Sequence, residues 1–166
     1  MDFDDFFVAR GPALRRTAYL VVGDWQDAED VGQAAFVKLY RVWPRLRQES
    51  VEAYARRAVV NTSISHARKR RPVTVEQVPE ASRTVADGGH ESTSTAELLQ
   101  TLAVLPPAQR AVIALRFLDD LSVAQTATAM GISAGTVKSH TSRALTALRQ
   151  YLPEASSSTQ QQEGSS

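Results

Sequence analysis

Apolar residues along this 166-residue chain recur at intervals of three and four almost throughout, and alanine is abundant. That period is the helical one, and few segments alternate with the two-residue period of a half-buried strand. The pattern predicts an all-α protein. A first helix over roughly 3–22 places Phe3, Phe7, Leu14, Ala18 and Val21 at helical spacings, and Gly11-Pro12 is expected to kink or divide it. After Gly23-Asp24, a second helix of about 25–43 carries Ala28, Val31, Ala35, Leu39 and Val42 on one stripe, with Phe36, Tyr40 and Trp43 beside it. Two adjacent stripes imply a wide buried face. Pro44 ends that helix, because proline lacks the N–H that continuation needs, and a third helix runs from about Glu52 to Arg70.

Residues 72–94 are rich in Pro, Gly, Ser, Thr and acids, include Asp87-Gly88-Gly89 and show no sustained period, which predicts a flexible linker. Helical signal resumes at Ser94, whose spacing to Glu97 makes a capping box. Helices over about 95–105 and 107–118 are separated by Leu105-Pro106-Pro107, the second proline suiting a first helical turn. Then come Leu121-Ser122, a short helix, Gly131-Ile132-Ser133 and a longer helix from about Ala134 to Tyr151. This is helix-turn-helix grammar: Gly131 can take the left-handed conformation that ends one helix, Ile132 can plug the core between the two, and Ser133 can cap the next. The expected organisation is two small helical domains, 1–71 and 95–153, joined by the linker 72–94, the second containing the helix-turn-helix; the Ser- and Gln-rich tail 154–166 is expected to be disordered.

Composition narrows the class. With 43% apolar and 22% charged residues the chain reads as an ordinary soluble protein. No run approaches the roughly 18 apolar residues that span a bilayer, and Met1 opens onto Asp2, Asp4 and Asp5 rather than a basic signal start. A cytoplasmic protein without membrane association is expected. The chain has no cysteine, which excludes disulfides, thiolate nucleophiles and Cys-ligated zinc. His66, His90 and His140 lie in separate segments without a His partner at ligand spacing, and no Gly-rich phosphate loop is present. An enzyme reading is therefore weak, and neither a metal nor another cofactor is expected.

The net charge of +1 conceals blocks of opposite sign. Residues 1–30 set seven acids against three arginines, whereas 41–71 set nine Arg and Lys against Glu49 and Glu52. Residues 72–120 are acidic again, and 121–153 hold Lys138, Arg143 and Arg149 with no acid. On the last helix, an inward Val137 brings Ala144, Leu145 and Leu148 within about 80° of it and turns Gly135, Lys138, Ser139, Ser142 and Arg149 outward. That small, polar, basic face suits entry into a DNA major groove. An amphipathic helix pair that binds no nucleic acid would share the periodicity, but the missing acids count against it. The run Arg68-Lys69-Arg70-Arg71 reads either as a helix terminus favoured by the helix dipole or as a phosphate-binding cluster, and Trp43 and Tyr54 either as core or as base-stacking aromatics.

The two halves together resemble the extracytoplasmic-function (ECF) sigma factors, the minimal class of the sigma-70 family. Gly23-Asp24 through Asp27-Ala28-Glu29-Asp30-Val31, and Gln33 to Trp43, are similar to sigma region 2.2, whose helix docks on the clamp helices of the polymerase β′ subunit. The resemblance implies polymerase contacts by Asp27, Glu29, Asp30, Gln33, Phe36 and Tyr40. Tyr54 through Asn61 to Arg71 is similar to regions 2.3 and 2.4, which melt and read the −10 element. It implies DNA contacts by Tyr54, Arg57, Asn61, Arg68, Lys69, Arg70 and Arg71, with Asn61 helping to hold a base flipped from the non-template strand. Leu105-Pro106-Pro107 with Gln109-Arg110, Leu115-Arg116-Phe117, Leu121-Ser122, Gly135-Thr136-Val137-Lys138-Ser139 and Arg143-Ala144-Leu145 resemble region 4, which reads the −35 element and contacts the β flap. The implied −35 contacts are Ser133, Gly135, Thr136, Lys138, Ser139, Ser142 and Arg143.

This chain departs from the family pattern at Gly32 and Ala34, at Tyr54 where tryptophan is common, and at Gln125 and Thr128 where glutamates are common. The implied partners are core RNA polymerase, bound as a monomer, and promoter DNA, with an anti-sigma factor as a further candidate. Gly135-Thr136-Val137-Lys138-Ser139-His140 also resembles the LuxR-type DNA-binding domain, but residues 1–71 show none of the apolar strand runs of the receiver domain that usually accompanies it.

Overall fold

A computed structural model describes residues 1–70 and 93–160, with side chains of 93, 94 and 152–160 left aside. The expected linker, Arg71 and the last six residues lie outside the described residues apart from the segment's end at 93 and 94. All described regular structure is helical: α1 Phe3–Val22, α2 Trp25–Val42, α3 Val51–Lys69, α4 Thr93–Ala103, α5 Pro107–Ile113, α6 Val123–Met130 and α7 Ala134–Gln160. Two short 3-10 turns, Trp43–Arg45 and Gln48–Ser50, bridge α2 to α3, and a π-helical turn, Ala114–Leu118, follows α5.

Local chemistry explains the boundaries. Asp2 caps α1 by accepting from the Asp5 N–H at 2.8 Å, and Gly23 ends it in the left-handed region at φ 80°. Asp24 then caps α2 through the Asp27 N–H at 3.0 Å, while Tyr19 and Trp25 stack across the turn with centroids 4.0 Å apart. Gly23-Asp24 thus closes one helix and opens the next. Of the two outcomes expected at Gly11-Pro12, a kink or a break, the break does not occur: α1 is continuous through Pro12. Pro12 sits on the exposed side one turn from Val8, which is 74% exposed, so water can satisfy the carbonyl that its missing N–H leaves free. The apolar register also shifts near that point: Phe6 is buried and Phe7 is partly exposed. α7 runs to Gln160, beyond the expected end near Tyr151: it passes through Pro153 and takes in 154–160 of the tail expected to be disordered.

Helices α1, α2 and α3 pack pairwise around Phe6, Leu14, Ala18, Val31, Leu39, Ala55 and Val59. Trp43 is core here, its ring meeting Phe3 at 5.5 Å and Phe6 at 5.7 Å. The second half does not close on itself. Val21 of α1 and Val60 and Ile64 of α3 share one cluster with Val112, Leu115, Met130 and Val137, and Leu20 joins Leu102, Leu105, Ile113 and Ala144 in another. Polar contacts cross the same seam. Arg110 donates from Nη1 to the Val21 carbonyl and from Nε to the Leu105 carbonyl at 3.0 Å, and burial pulls its guanidinium below the ordinary arginine range. The Thr17 hydroxyl donates to the Asp119 carboxylate at 3.1 Å.

Candidate polymerase and promoter surfaces

Three surfaces carry the residues singled out in the sequence. On α2, Asp30, Gln33, Val37 and Tyr40 follow one another at three- and four-residue spacing and are all exposed, forming a single stripe. Val37 was not singled out by sequence, because an aliphatic residue in an apolar helix reads as core. Phe36 turns inward instead, its ring against Phe7 at 4.8 Å. Glu29 is half-buried and accepts from Arg15 Nη1 at 3.1 Å. The Arg15 stem crosses α2 at Gly32, where a Cβ would lie 3.1 Å from Arg15 Cγ. A side chain at this position, where the family usually has an aliphatic residue, would crowd the Arg15 stem. Asp27, expected on the same docking face, is only 7% exposed and points toward α3.

The second surface is a cleft of about 480 Å³ between α2 and α3, lined by Lys38, Tyr54, Arg57, Ala58, Asn61, Thr62, Ser65, His66 and Lys69. Four of the expected −10 residues, Tyr54, Arg57, Asn61 and Lys69, therefore share one concavity. Tyr54 also packs partly against the first core, which holds its ring in place. Arg68 and Arg70 lie outside the lining, both exposed. Lys38 and His66 were not foreseen: Lys38 reaches the cleft from α2, a juxtaposition that spacing within one helix does not reveal. Polar and cationic walls with one aromatic ring suit a nucleobase and its flanking phosphates.

The third surface is the helix-turn-helix. Ser122 accepts from the Gln125 N–H at 3.0 Å, and the Gln125 side-chain oxygen accepts from the Ser122 N–H at 2.9 Å. Glutamine thus completes the capping box that the more usual glutamate would make. Gly131 ends α6 at φ 67°, Ile132 packs into the shared core, and Ser133 accepts from the Thr136 N–H at 3.1 Å. Val137 and Ala144 are fully buried, whereas Ser133, Gly135, Thr136, Lys138, Ser139, Ser142 and Arg143 are all exposed. α7 thus turns outward the residues that its helical period places there. Arg57 from the cleft reaches the turn: a Cβ on Gly131 would lie 3.1 Å from its Nη2.

The family models for Sigma-70 region 2 and Sigma-70, region 4 match residues 6–73 and 95–148. An RNA polymerase sigma-E factor of Streptomyces avermitilis is 40% identical over 155 residues, covering 92% of this chain and 86% of that protein. The chain is an ECF sigma factor. The ECF RNA polymerase sigma factor SigW of Bacillus subtilis is 30% identical over 156 residues, covering 84% of this chain and 82% of its own. Among solved structures, the sigma factor RpoE of Bartonella quintana, in complex with the anti-sigma factor NepR, superposes with a TM-score of 0.72 at 26% identity, covering 92% of this chain and 97% of that one. As an ECF sigma factor, the protein directs core RNA polymerase to promoters and initiates transcription. Among the described residues no helix is long and apolar enough to cross a membrane.

Proposed function

We propose that the three surfaces divide the work of this sigma factor as follows. The Asp30, Gln33, Val37 and Tyr40 stripe, with Glu29 held beside it, docks on the polymerase β′ clamp helices. The cleft between α2 and α3 receives an unpaired base of the −10 strand, Tyr54 offering a stacking face, Asn61 hydrogen bonds, and Lys38, Arg57 and Lys69 positive charge for phosphates. Arg68 and Arg71 extend that charge along the strand. α7 enters the −35 major groove, with Ser133, Gly135, Thr136, Lys138, Ser139, Ser142 and Arg143 toward bases and phosphates. Residues 1–71 form the docking and −10 unit, 95–153 the −35 unit, and 72–94 the connection between them. The factor works in the cytoplasm and supplies specificity, while bond formation belongs to the polymerase.

The observation that carries this reading is the cleft, where an aromatic ring, an asparagine and three cations from two helices converge. Extruding a base costs a few kcal/mol, and a shaped cationic site can offset that cost for one strand. Core polymerase combined with the full chain is expected to give promoter-specific transcripts, whereas the free chain binds duplex weakly; sequence-specific duplex binding by a free dimer would instead favour a LuxR-type regulator. In that system Asn61→Ala should impair binding of −10 single strands more than binding of −35 duplex. Lys138→Ala should lower the salt slope of −35 binding by about 0.9, one phosphate contact on duplex DNA. An anti-sigma factor is a further partner in this proposal and is to be sought by co-purification.

A further inference from the structure

Asp27 is the one buried acid among the described residues, and its surroundings differ from those of an ordinary first-turn carboxylate. Asp24 caps the helix through the Asp27 N–H, and the Asp27 carboxylate turns away from the helix start toward α3. Oδ1 lies 3.4 Å from His66 Nε2, and Oδ2 forms an ion pair with Arg70 Nη1. Asp27 Oδ2 and His66 Nε2 are both shut off from solvent and neither makes a hydrogen bond, so proximity of charge is what ties the carboxylate to its partners. A carboxylate so enclosed is retained only with a cation against it, since burying an unpaired charge is heavily penalised.

Its partners sit at the reading end of α3. His66 forms part of the wall of the −10 cleft, next to Lys69. Arg70 is the residue at which α3 stops: its N–H donates to the His66 carbonyl at 3.2 Å, and its backbone turns extended at φ −74°, ψ 117°. The ion pair brings the Arg70 guanidinium back toward the start of α2, although most of that side chain stays exposed, as Arg68 and Lys69 do. The same helix α2 carries the docking stripe on its outer side.

Resting on the reading of the cleft as the −10 site, we propose that Asp27 is a positioning residue for −10 recognition. From α2 it holds His66 and Arg70 at the end of α3, fixing the cleft wall and committing the Arg70 charge to the protein rather than to a DNA phosphate. The basic run is thereby divided into strand-binding cations and one internal brace. A single carboxylate links the helix that meets the polymerase to the helix that meets the strand.

The test uses holoenzyme reconstituted from core polymerase and the full chain. Two labelled single-stranded oligonucleotides serve as probes, one carrying the −10 element of a transcript that this holoenzyme makes and one with that element scrambled, each titrated across a salt series. The unaltered holoenzyme is expected to prefer the −10 strand; absence of that preference would overturn the cleft reading itself and the brace with it. Arg70→Gln should reduce the preference at least fivefold and leave the salt slope unchanged. A slope shallower by about 0.7, the signature of one lost single-strand phosphate contact, would make Arg70 a DNA ligand and overturn the proposal. Asp27→Asn keeps the shape, removes the charge and releases Arg70, so the slope should steepen by about 0.7 while the scrambled strand binds at least twofold more tightly and the preference falls. Equal weakening on both strands with an unchanged slope would assign Asp27 a purely structural role and overturn the proposal. Should Asp27→Asn fail to fold by thermal melting, the Arg70→Gln result decides.

Discussion

Helices α1 to α3 and helices α4 to α7 satisfy the same need, burial of apolar faces, by different means. The first three pack pairwise around a cluster drawn almost wholly from themselves, with Leu39, Val59, Ala28 and Ala18 nearly or fully buried. The last four complete both of their clusters with residues lent by the first half: Leu20 and Val21 from α1, Val60 and Ile64 from α3. Short helices cause the difference. α5 has seven residues before the π turn and α6 eight, too little surface to enclose Leu115 or Met130 without a neighbour. The second half therefore rests one face on the first, while the outward face of α7 stays exposed.

Core truncation should break this comparison most sharply. Leu39→Ala, in the first cluster, and Leu102→Ala, in the last, should each cost about 2–5 kcal/mol in chemical denaturation. Their reach should differ: in hydrogen exchange, Leu39→Ala lowers protection in all the helices, whereas Leu102→Ala lowers it in α4, α5 and α7 and spares α2. Equal effects on α2 would show two-way dependence. Next in size is Arg110→Met, which leaves the Val21 and Leu105 carbonyls without a donor and should cost about 1–3 kcal/mol while loosening the seam. Gly131→Ala forces a side chain at φ 67° and crowds Arg57, with an expected loss of about 1 kcal/mol felt in both α6 and α3. Smallest is Ser122→Ala, which removes one side of a capping box at a cost of about 1 kcal/mol or less, confined to α6.

The parts legible in the sequence are those decided by neighbours in the chain. Gly23-Asp24, Ser122 with Gln125, and Gly131-Ile132-Ser133 state their roles in three or four residues, and the outward face of α7 follows from one inward valine. Asn61 and Tyr54 were legible through family likeness, and the cleft unites them. What was not legible depends on residues distant in sequence. Val21 and Val60 look like ordinary stripe residues of the first half, and nothing local says that they join a cluster built mostly from the second. Asp27 stands among acids that read as one solvated patch, so its turn toward His66 and Arg70, about forty positions away, has no local signal. Pro12 and the exchange of Phe6 for Phe7 fail for the converse reason: a breaker on the solvent side of a long helix is tolerated, and the register then follows the packing of α2 and α3 rather than the propensity around Gly11.

The lent residues also constrain how the chain can vary. Val60 shares one cluster with Val21 of its own half and with Leu115 and Val137 of the other, so a change that suits one half is tested at once by the second. Grafting residues 93–160 of a relative onto residues 1–70 of this chain would set Val21, Val60 and Ile64 against a face other than the one they pack on here. On the reading of α7 proposed above, new promoter preferences are more easily reached by altering its outward face than by exchanging halves. The chain has the look of two cassettes and the heredity of one.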